Sequence, residues 1–261
     1  MTPIDLDAAR AGLEAAVREA AEAILDVVEG GQMRVRHKRG GPVTDADHAA
    51  DAVLSRVLLP LIPGAHWLSE ESKQEGAVIH GEPTWIVDPL DGTREFVDGI
   101  PEYGVSVGLF VDDALVLGAV ALPTLGVVLS GIIDGERREA RRNGVALAPL
   151  RVGEIGRVVV SRHDYEWRRI QRHIPWEVYG CGSSAVKLAH TADGTADVYF
   201  STRSRSLWDI AGGVALLRAA GGEVLGIDGE PLTLSPQTRG VPPFVAGRLD
   251  ACREMLRHIA G

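Results

Sequence analysis

Asp88 and Asp91 stand three residues apart in the stretch Trp85-Ile86-Val87-Asp88-Pro89-Leu90-Asp91-Gly92-Thr93-Arg94-Glu95-Phe96. Apolar residues run into Asp88, so a strand is expected to end there. Pro89 lacks the N–H that a ladder needs and turns the chain. Asp91-Gly92 then supplies a tight turn, and Gly92 lets a ligand come close to the backbone. Thr93 sets a hydroxyl beside the two acids. Carboxylates this close repel unless a cation lies between them. Hard cations such as magnesium take oxygen ligands and keep waters for a substrate. A surface turn with solvated acids would explain Asp-Gly alone, but not an apolar run that delivers both acids to one spot.

Glu70 and Asp209 also sit where an element starts or ends, next to apolar residues. Chain ends of that kind are where α/β proteins gather ligands. Meeting in space, Glu70, Asp88, Asp91 and Asp209 would hold two or three divalent cations. Each also has a plainer reading as a cap or a surface acid. Asp209 follows Trp208 at a helix start and suits the helix dipole. Asp47, three residues after Thr44, closes a capping box. Gly182-Ser183-Ser184 opens another helix, where small residues leave N–H groups free for an anion, although Ser is also an ordinary N-cap. Lys187 shares the face of Ser183 and Ser184. It either reaches that anion or snorkels to water. The basic run Arg34 to Arg39 is a solvated strand and turn, or a positive rim for an anionic substrate.

These residues need elements to position them. Leu6, Leu13, Val17, Ala20, Ile24 and Val27 recur at helical spacing, which predicts a helix from about Asp5 to Glu29, stopped by Gly30-Gly31. A second helix begins at Thr44, with Val53, Leu54, Val57 and Leu58 on its buried side. Ala65 to Ser69 reads as a short strand that delivers Glu70. Val105–Val111, Val116–Ala121 and Gly126–Ile132 read as an antiparallel meander broken at Asp112-Asp113 and Pro123-Thr124. Asn143-Gly144 is a hairpin turn. Residues 149–156 pass into a second half. That half alternates strands at Arg157–Ser161, Glu177–Gly180 and Ala196–Phe200 with helices near Glu166–His173, Ser183–Ala192 and Trp208–Ala220. A last strand near Phe244-Val245 and a helix from about Leu249 follow. Such alternation predicts an α/β sheet covered on both faces. The expected division is residues 1–148, an N-terminal α+β half with the metal-site turn, and 149–261, a C-terminal α/β half, with the site at their interface.

The net charge of −9 argues against a nucleic-acid polymer or a membrane surface as partner. It allows a small phosphorylated substrate where metals neutralise the site. Cys181 and Cys252 make no disulfide framework, which points to a reducing cytoplasm. No apolar run reaches the ~20 residues of a membrane span, and no secretory signal is visible. There is no phosphate-loop motif and no Gly-x-Ser-x-Gly elbow. The three-residue spacing of Asp88 and Asp91 differs from the two-residue spacing of haloacid-dehalogenase phosphatases. Aromatics at 5% are too few for the sugar cleft of a glycoside hydrolase.

Asp88-Pro-Leu-Asp91-Gly-Thr93, preceded by Ser69-Glu70-Glu71 and followed by Trp208-Asp209-Ile-Ala-Gly, resembles the inositol monophosphatase superfamily, in the right order over most of the chain. The resemblance implies a five-layered α-β-α-β-α sandwich and Mg2+-dependent hydrolysis of a phosphomonoester. It implies metal ligation by Glu70, Asp88, the Leu90 carbonyl, Asp91 and Asp209. It also implies an Asp47–Thr93 pair near the attacking water, with Glu70, Asp47 and Thr93 as the catalytic group. The phosphate would rest on the amides of Gly92 and Thr93, near Gly182 and Ser183. Lithium inhibition and a homodimer belong to the same expectation.

Two signals divide on substrate. Asp91-Gly-Thr-Arg94-Glu95-Phe96 and the longer segment between Asp197 and Trp208 are similar to members that act on 3′(2′),5′-bisphosphate nucleotides. Inositol-type members place a glutamate seven residues before the Trp-Asp aspartate, where this chain has Thr202. Arg203 and Arg205 either bind a second phosphate or are solvated charge. Gly99 to Gly108 is more similar to the inositol branch. We read the chain as leaning to the nucleotidase. The alternatives are an inositol-1-, histidinol- or fructose-1,6-bisphosphate phosphatase. A binding-only regulator on the same fold, or a structural calcium domain, is the alternative of another class.

Overall fold

The apolar period near the N-terminus becomes α1, Leu6–Glu29, capped by the Asp5 carboxylate. The structure is a computed structural model that describes residues 4–31, 33–38, 41–71, 79–238 and 240–260. A hairpin, β1 (Val35–Lys38) and β2 (Gly41–Thr44), leads into α2, Asp45–Leu61. The basic run is therefore β1 as far as Lys38; Arg39 lies outside the described residues. On α2, Leu54 and Leu58 are buried, while Val53 and Val57 are half-buried against the same core.

β3 (His66–Ser69) pairs in parallel with β4 (Thr84–Asp91) at the edge of a seven-stranded sheet. After the short α3 (Thr93–Val97) come β5 (Gly104–Val111), β6 (Ala114–Leu122), β7 (Val127–Asp134), β8 (Arg137–Arg142) and β9 (Val145–Ala146), each antiparallel to its predecessor. The expected meander is there, extended by β8. Asn143 and Gly144, both at positive φ, make the hairpin turn to β9.

The second sheet has order β11-β10-β12-β16-β14. It uses β10 (Arg157–Ser161), β11 (Glu177–Cys181), β12 (Val198–Ser201), β14 (Glu223–Gly226) and β16 (Phe244–Gly247). β13 (Arg205–Ser206) and β15 (Gly240–Val241) pair separately. β10 is parallel to β11 and β12, and β16 runs antiparallel to β12 and β14. The helix expected near Glu166–His173 is instead α4, Arg162–Glu166, followed by a 3₁₀ turn at Ile170–His173. Ser161 starts α4 early by capping the N–H of Asp164, and Arg169 at φ 53° interrupts any continuation.

Five layers result. α1 and α2 cover one face of the large sheet. α5 (Ser184–Ala192) and α6 (Leu207–Ala219) fill the space between the sheets. α4 and α7 (Leu249–Ala260) cover the outer face of the small one. The middle core joins Ile86, Phe110 and Leu129 of the large sheet to Tyr199 and Phe244 of the small one.

The seat of α6 is set by glycine. Gly108, Gly118 and Gly131 are register partners on three adjacent strands. A Cβ on Gly118 would fall 2.6 Å from that of Ala215, and one on Gly131 2.6 Å from that of Ala219. Strand glycines of this kind mark close backbone approach. This contact brings the start of α6, and Asp209 with it, down onto β4.

Candidate active site

In a regular strand, residues three apart point to opposite faces. Asp88 pairs with Ser106 and Asp91 with Gly104, so three steps on β4 match two on β5. The bulge contains Pro89, which has no N–H to leave unpaired. It restores both carboxylates to one side. β4 thus does not stop at Asp88 but carries on through Asp91. Leu90 N–H donates to Asp88 Oδ1 at 3.0 Å, fixing that side chain.

Carboxylate oxygens of Asp88, Asp91 and Asp209 lie within 4.8 Å of one another. Glu70, at the end of β3, lines the same cavity of about 500 Å3. Its carboxylate is 3.0 Å from the Lys38 ammonium, which also pairs with Glu71. Burial and the charges of Glu70, Asp91 and Asp209 push Asp88 well above the usual carboxylate range. Burial, with Asp91 and Glu70, pushes Asp209 up to about 8. Glu70 is raised by burial, against the pull of Lys38. Acids that repel so strongly, beside the Leu90 carbonyl, are the all-oxygen donor set that a hard divalent cation takes.

Asp47 and Asp209 hold matching local positions. Each is the third residue of its helix and closes a capping box, with Thr44 and with Ser206. Asp47 Oδ2 accepts from the Thr44 N–H and hydroxyl, at 2.7 and 2.6 Å. Its other oxygen is 3.1 Å from Thr93 Oγ1, which is also 3.0 Å from the Leu90 carbonyl. One carboxylate therefore serves both the cap and the Thr93 hydroxyl. Gly92 sits at φ 95°, and a Cβ there would come within 2.8 Å of the Glu102 carbonyl.

The start of α5 does hold an anion, but that anion is Asp91. Ser183 Oγ and Ala185 N–H both donate to Asp91 Oδ2 at 2.6 Å. Ser183 is fully buried, and the Gly182 N–H donates to Glu102 at 2.8 Å. Lys187 corrects the sequence reading more sharply. It is fully buried, and its ammonium donates to the carbonyls of Cys181, Gly182 and Ser183 at 2.9, 2.8 and 2.7 Å. It clamps the turn that grips Asp91 and offers no donor to the cavity. Gly182 and Ser184 do line the cavity.

The facing wall includes Ser161, Arg162 and His163, at and beyond the carboxyl end of β10, with Arg203 and Arg205. The first three were missed in the sequence, although the strand-end rule applied to the acids would have found them. Arg162 is neutralised by Glu102 and by Glu166, the latter at 2.8 Å. Arg203 and Arg205 form no ion pair within 4.0 Å among the described residues. Arg203 touches the His163 ring at 3.2 Å, and Arg205 Nε donates to Ser201 Oγ at 3.2 Å.

Comparison with known proteins shows the family. A model described as "Inositol monophosphatase family" matches residues 2–252. A 3′(2′),5′-bisphosphate nucleotidase CysQ of Shigella flexneri is 32% identical over 231 residues, covering 87% of this chain and 94% of that one. An inositol-1-monophosphatase of Synechocystis sp. is 31% identical over 220 residues, 78% of this chain and 73% of that one. An inositol monophosphatase structure from Anabaena (Nostoc) sp. superposes with a TM-score of 0.79 at 25% identity, covering 98% of this chain and 96% of that one. Among the described residues no helix is long and apolar enough to cross a membrane.

Proposed function

The chain belongs to the inositol monophosphatase family, a family of phosphatases, and from that premise we propose that it is a magnesium-dependent phosphomonoesterase of the 3′(2′),5′-bisphosphate nucleotidase type. The carboxylates of Glu70, Asp88, Asp91 and Asp209 and the Leu90 carbonyl would hold the cations. Bound there, Mg2+ supplies positive charge for the phosphoryl group and lowers the pKa of a water. The protein's own part is alignment, as phosphoryl transfer requires. Thr93 donates its proton to Asp47, which turns its lone pairs toward the cavity to take a proton from a water. The amides of Gly92 and Thr93 hold the phosphate, beside Gly182 and Ser184. No side-chain nucleophile is needed: Ser183 is bonded to Asp91, and burial pushes the Cys181 thiol up to about 12.

The observation that supports the substrate class is Arg203 and Arg205 on the wall facing the acids: neither has a close ion-pair partner among the described residues, although Tyr199 and the charges of Asp209 and Asp91 already favour the Arg205 cation. A second phosphate on the substrate gives Arg203 the counter-charge it lacks and adds to the one that Arg205 feels from Asp209 and Asp91. The inositol-phosphate reading stands second, because relatives named for each activity match at 32% and 31% identity. A regulator that only binds would have no use for the Asp47–Thr93 pair. Lithium sensitivity, a homodimer and a cytoplasmic home complete the proposal, the last supported by two buried, unpaired cysteines. The test is Mg2+-dependent phosphate release from adenosine 3′,5′-bisphosphate, inositol 1-phosphate, histidinol phosphate and fructose 1,6-bisphosphate. The bisphosphate nucleotide is expected to give the highest kcat/KM. A clear preference for inositol 1-phosphate would replace the nucleotidase reading, and release from none of the four would refute the enzyme.

A further inference from the structure

Asp164 is a buried acid to which the proposed reaction assigns no part. Its side chain is fully enclosed, on the first turn of α4. It accepts from Ser161 Oγ at 2.7 Å and from Thr202 Oγ1 at 2.7 Å, and Arg168 lies at 3.4 Å. Burial alone would raise its pKa, but the bonds from Ser161, Thr202 and Arg168 outweigh burial and hold it below the usual carboxylate range. It is therefore a charged residue at neutral pH with a defined set of partners.

Those partners join two segments of the cavity wall. Ser161 leads into Arg162 and His163 at the end of β10. Thr202 leads into Arg203 and Arg205 beyond β12. Arg168 reinforces the join with a 3.1 Å bond to Thr202 Oγ1. Within the second segment, Ser201 Oγ donates to the Arg203 carbonyl at 3.0 Å and accepts from Arg205 Nε at 3.2 Å. Asp164 thus holds the strip of arginines without neutralising them. Its bonds go to two hydroxyls and to Arg168, which does not line the cavity, and the ring of His163, which does, lies 3.9 Å away. Thr202 points its hydroxyl at Asp164 rather than into the cavity.

We propose that Asp164 is a positioning residue that sets the preference for substrates with a second phosphate, by fixing through Ser161 and Thr202 the strip that holds Arg203 and Arg205 against the cavity. This rests on the nucleotidase reading and adds the residue that makes it selective. Fixing cations in advance lowers the ordering cost of binding a second anionic group, so the effect falls on KM for a bisphosphate rather than on kcat.

The test compares adenosine 3′,5′-bisphosphate with adenosine 3′-monophosphate, which offers the same scissile group without the second phosphate. Both are assayed with Mg2+ on the full chain, on Asp164→Asn and on Thr202→Val. The wild type is expected to favour the bisphosphate. Each variant is expected to lose about tenfold in kcat/KM for the bisphosphate, carried by KM, a change worth ~1.4 kcal/mol. Turnover of the monophosphate, which also reports that the fold is intact, stays within about twofold of wild type. Thr202→Val keeps the shape and removes the hydroxyl's two bonds, to Asp164 and from Arg168, so it decides the matter if Asp164→Asn does not fold. A wild type that prefers the bisphosphate, with variants that keep the full preference, overturns this proposal and spares the nucleotidase reading. A wild type with no preference overturns both.

Discussion

The two walls of the cavity differ in charge and in how that charge is managed. On one wall Asp88, Asp91 and Asp209 crowd together, two of them raised by burial and mutual repulsion. On the other, Arg203 and Arg205 stand apart on a strip tied down by hydroxyls and the buried Asp164. The first wall is a cluster that a cation would relieve. The second is a cationic strip, with Arg203 lacking an ion-pair partner among the described residues, and an anion would complete it. A phosphate ester with metal ions satisfies both, so the contrast itself describes the ligand. It also divides the expected effects: changes to the acid wall act on turnover, and changes to the arginine wall act on which substrate is turned over.

The largest effect belongs to the acid wall. Asp88→Asn is expected to lower kcat/KM by about 10²–10³-fold, the scale of losing a charge-stabilising group at a reacting centre. The fold should survive in a thermal melt, since the change removes one of three repelling carboxylates. Full activity would break the assignment of this wall to catalysis. Next comes Lys187→Met, which touches neither wall directly. It leaves the carbonyls of Cys181, Gly182 and Ser183 without their shared donor and loosens the turn that grips Asp91. The apparent Mg2+ affinity should fall ~10–100-fold, as for other residues that orient a metal ligand, with a loss of ~1–3 kcal/mol in stability from unpaired buried carbonyls. An unchanged Mg2+ titration would confine Lys187 to a structural role.

Arg203→Gln sharpens the comparison from the other side. It should raise KM for adenosine 3′,5′-bisphosphate about tenfold, near the worth of one charge-assisted hydrogen bond, and hardly change the 3′-monophosphate. An equal loss for both substrates would move Arg203 into general substrate binding. The smallest effect is on stability against pH. Asp88 and Asp209 have folded pKa values above the unfolded value of 3.8, Asp209 at about 8. Between those limits the folded state binds more protons, so stability of the metal-free protein falls as pH rises from about 4 to about 8. Magnesium displaces those protons and should raise Tm more at pH 8.5 than at pH 6. A shift of equal size at both pH values would contradict the linkage.

How much of this was legible in the chain depends on the range of the interaction. The capping box at Thr44 and the apolar periods of α1 and α2 are local, and sequence shows them; the box at Ser206 is equally local, but the sequence reading takes Asp209 only as a first-turn acid. The acids at strand ends were legible for the same reason. The bulge that puts Asp88 and Asp91 on one side was not, because parity depends on pairing with β5. The fate of Lys187 was hidden because its spacing fits an exposed ligand and a buried clamp equally well. Asp91 as the anion of α5 joins residues 92 and 94 positions apart in the chain, which no local pattern encodes. β8 and β14 escaped because Arg137–Arg142 is too charged and Glu223–Gly226 too short to alternate visibly. The glycines at 108, 118 and 131 were a signal left unread: three glycines inside apolar strands announce something lying on them.

The central claim is that Glu70, Asp88, Asp91 and Asp209 form one cation site, and its most direct test is anomalous diffraction from crystals grown with Mn2+ in place of Mg2+. Manganese peaks are expected enclosed by those four carboxylates and the Leu90 carbonyl. Manganese bound elsewhere, with no peak among Asp88, Asp91 and Asp209, would contradict it.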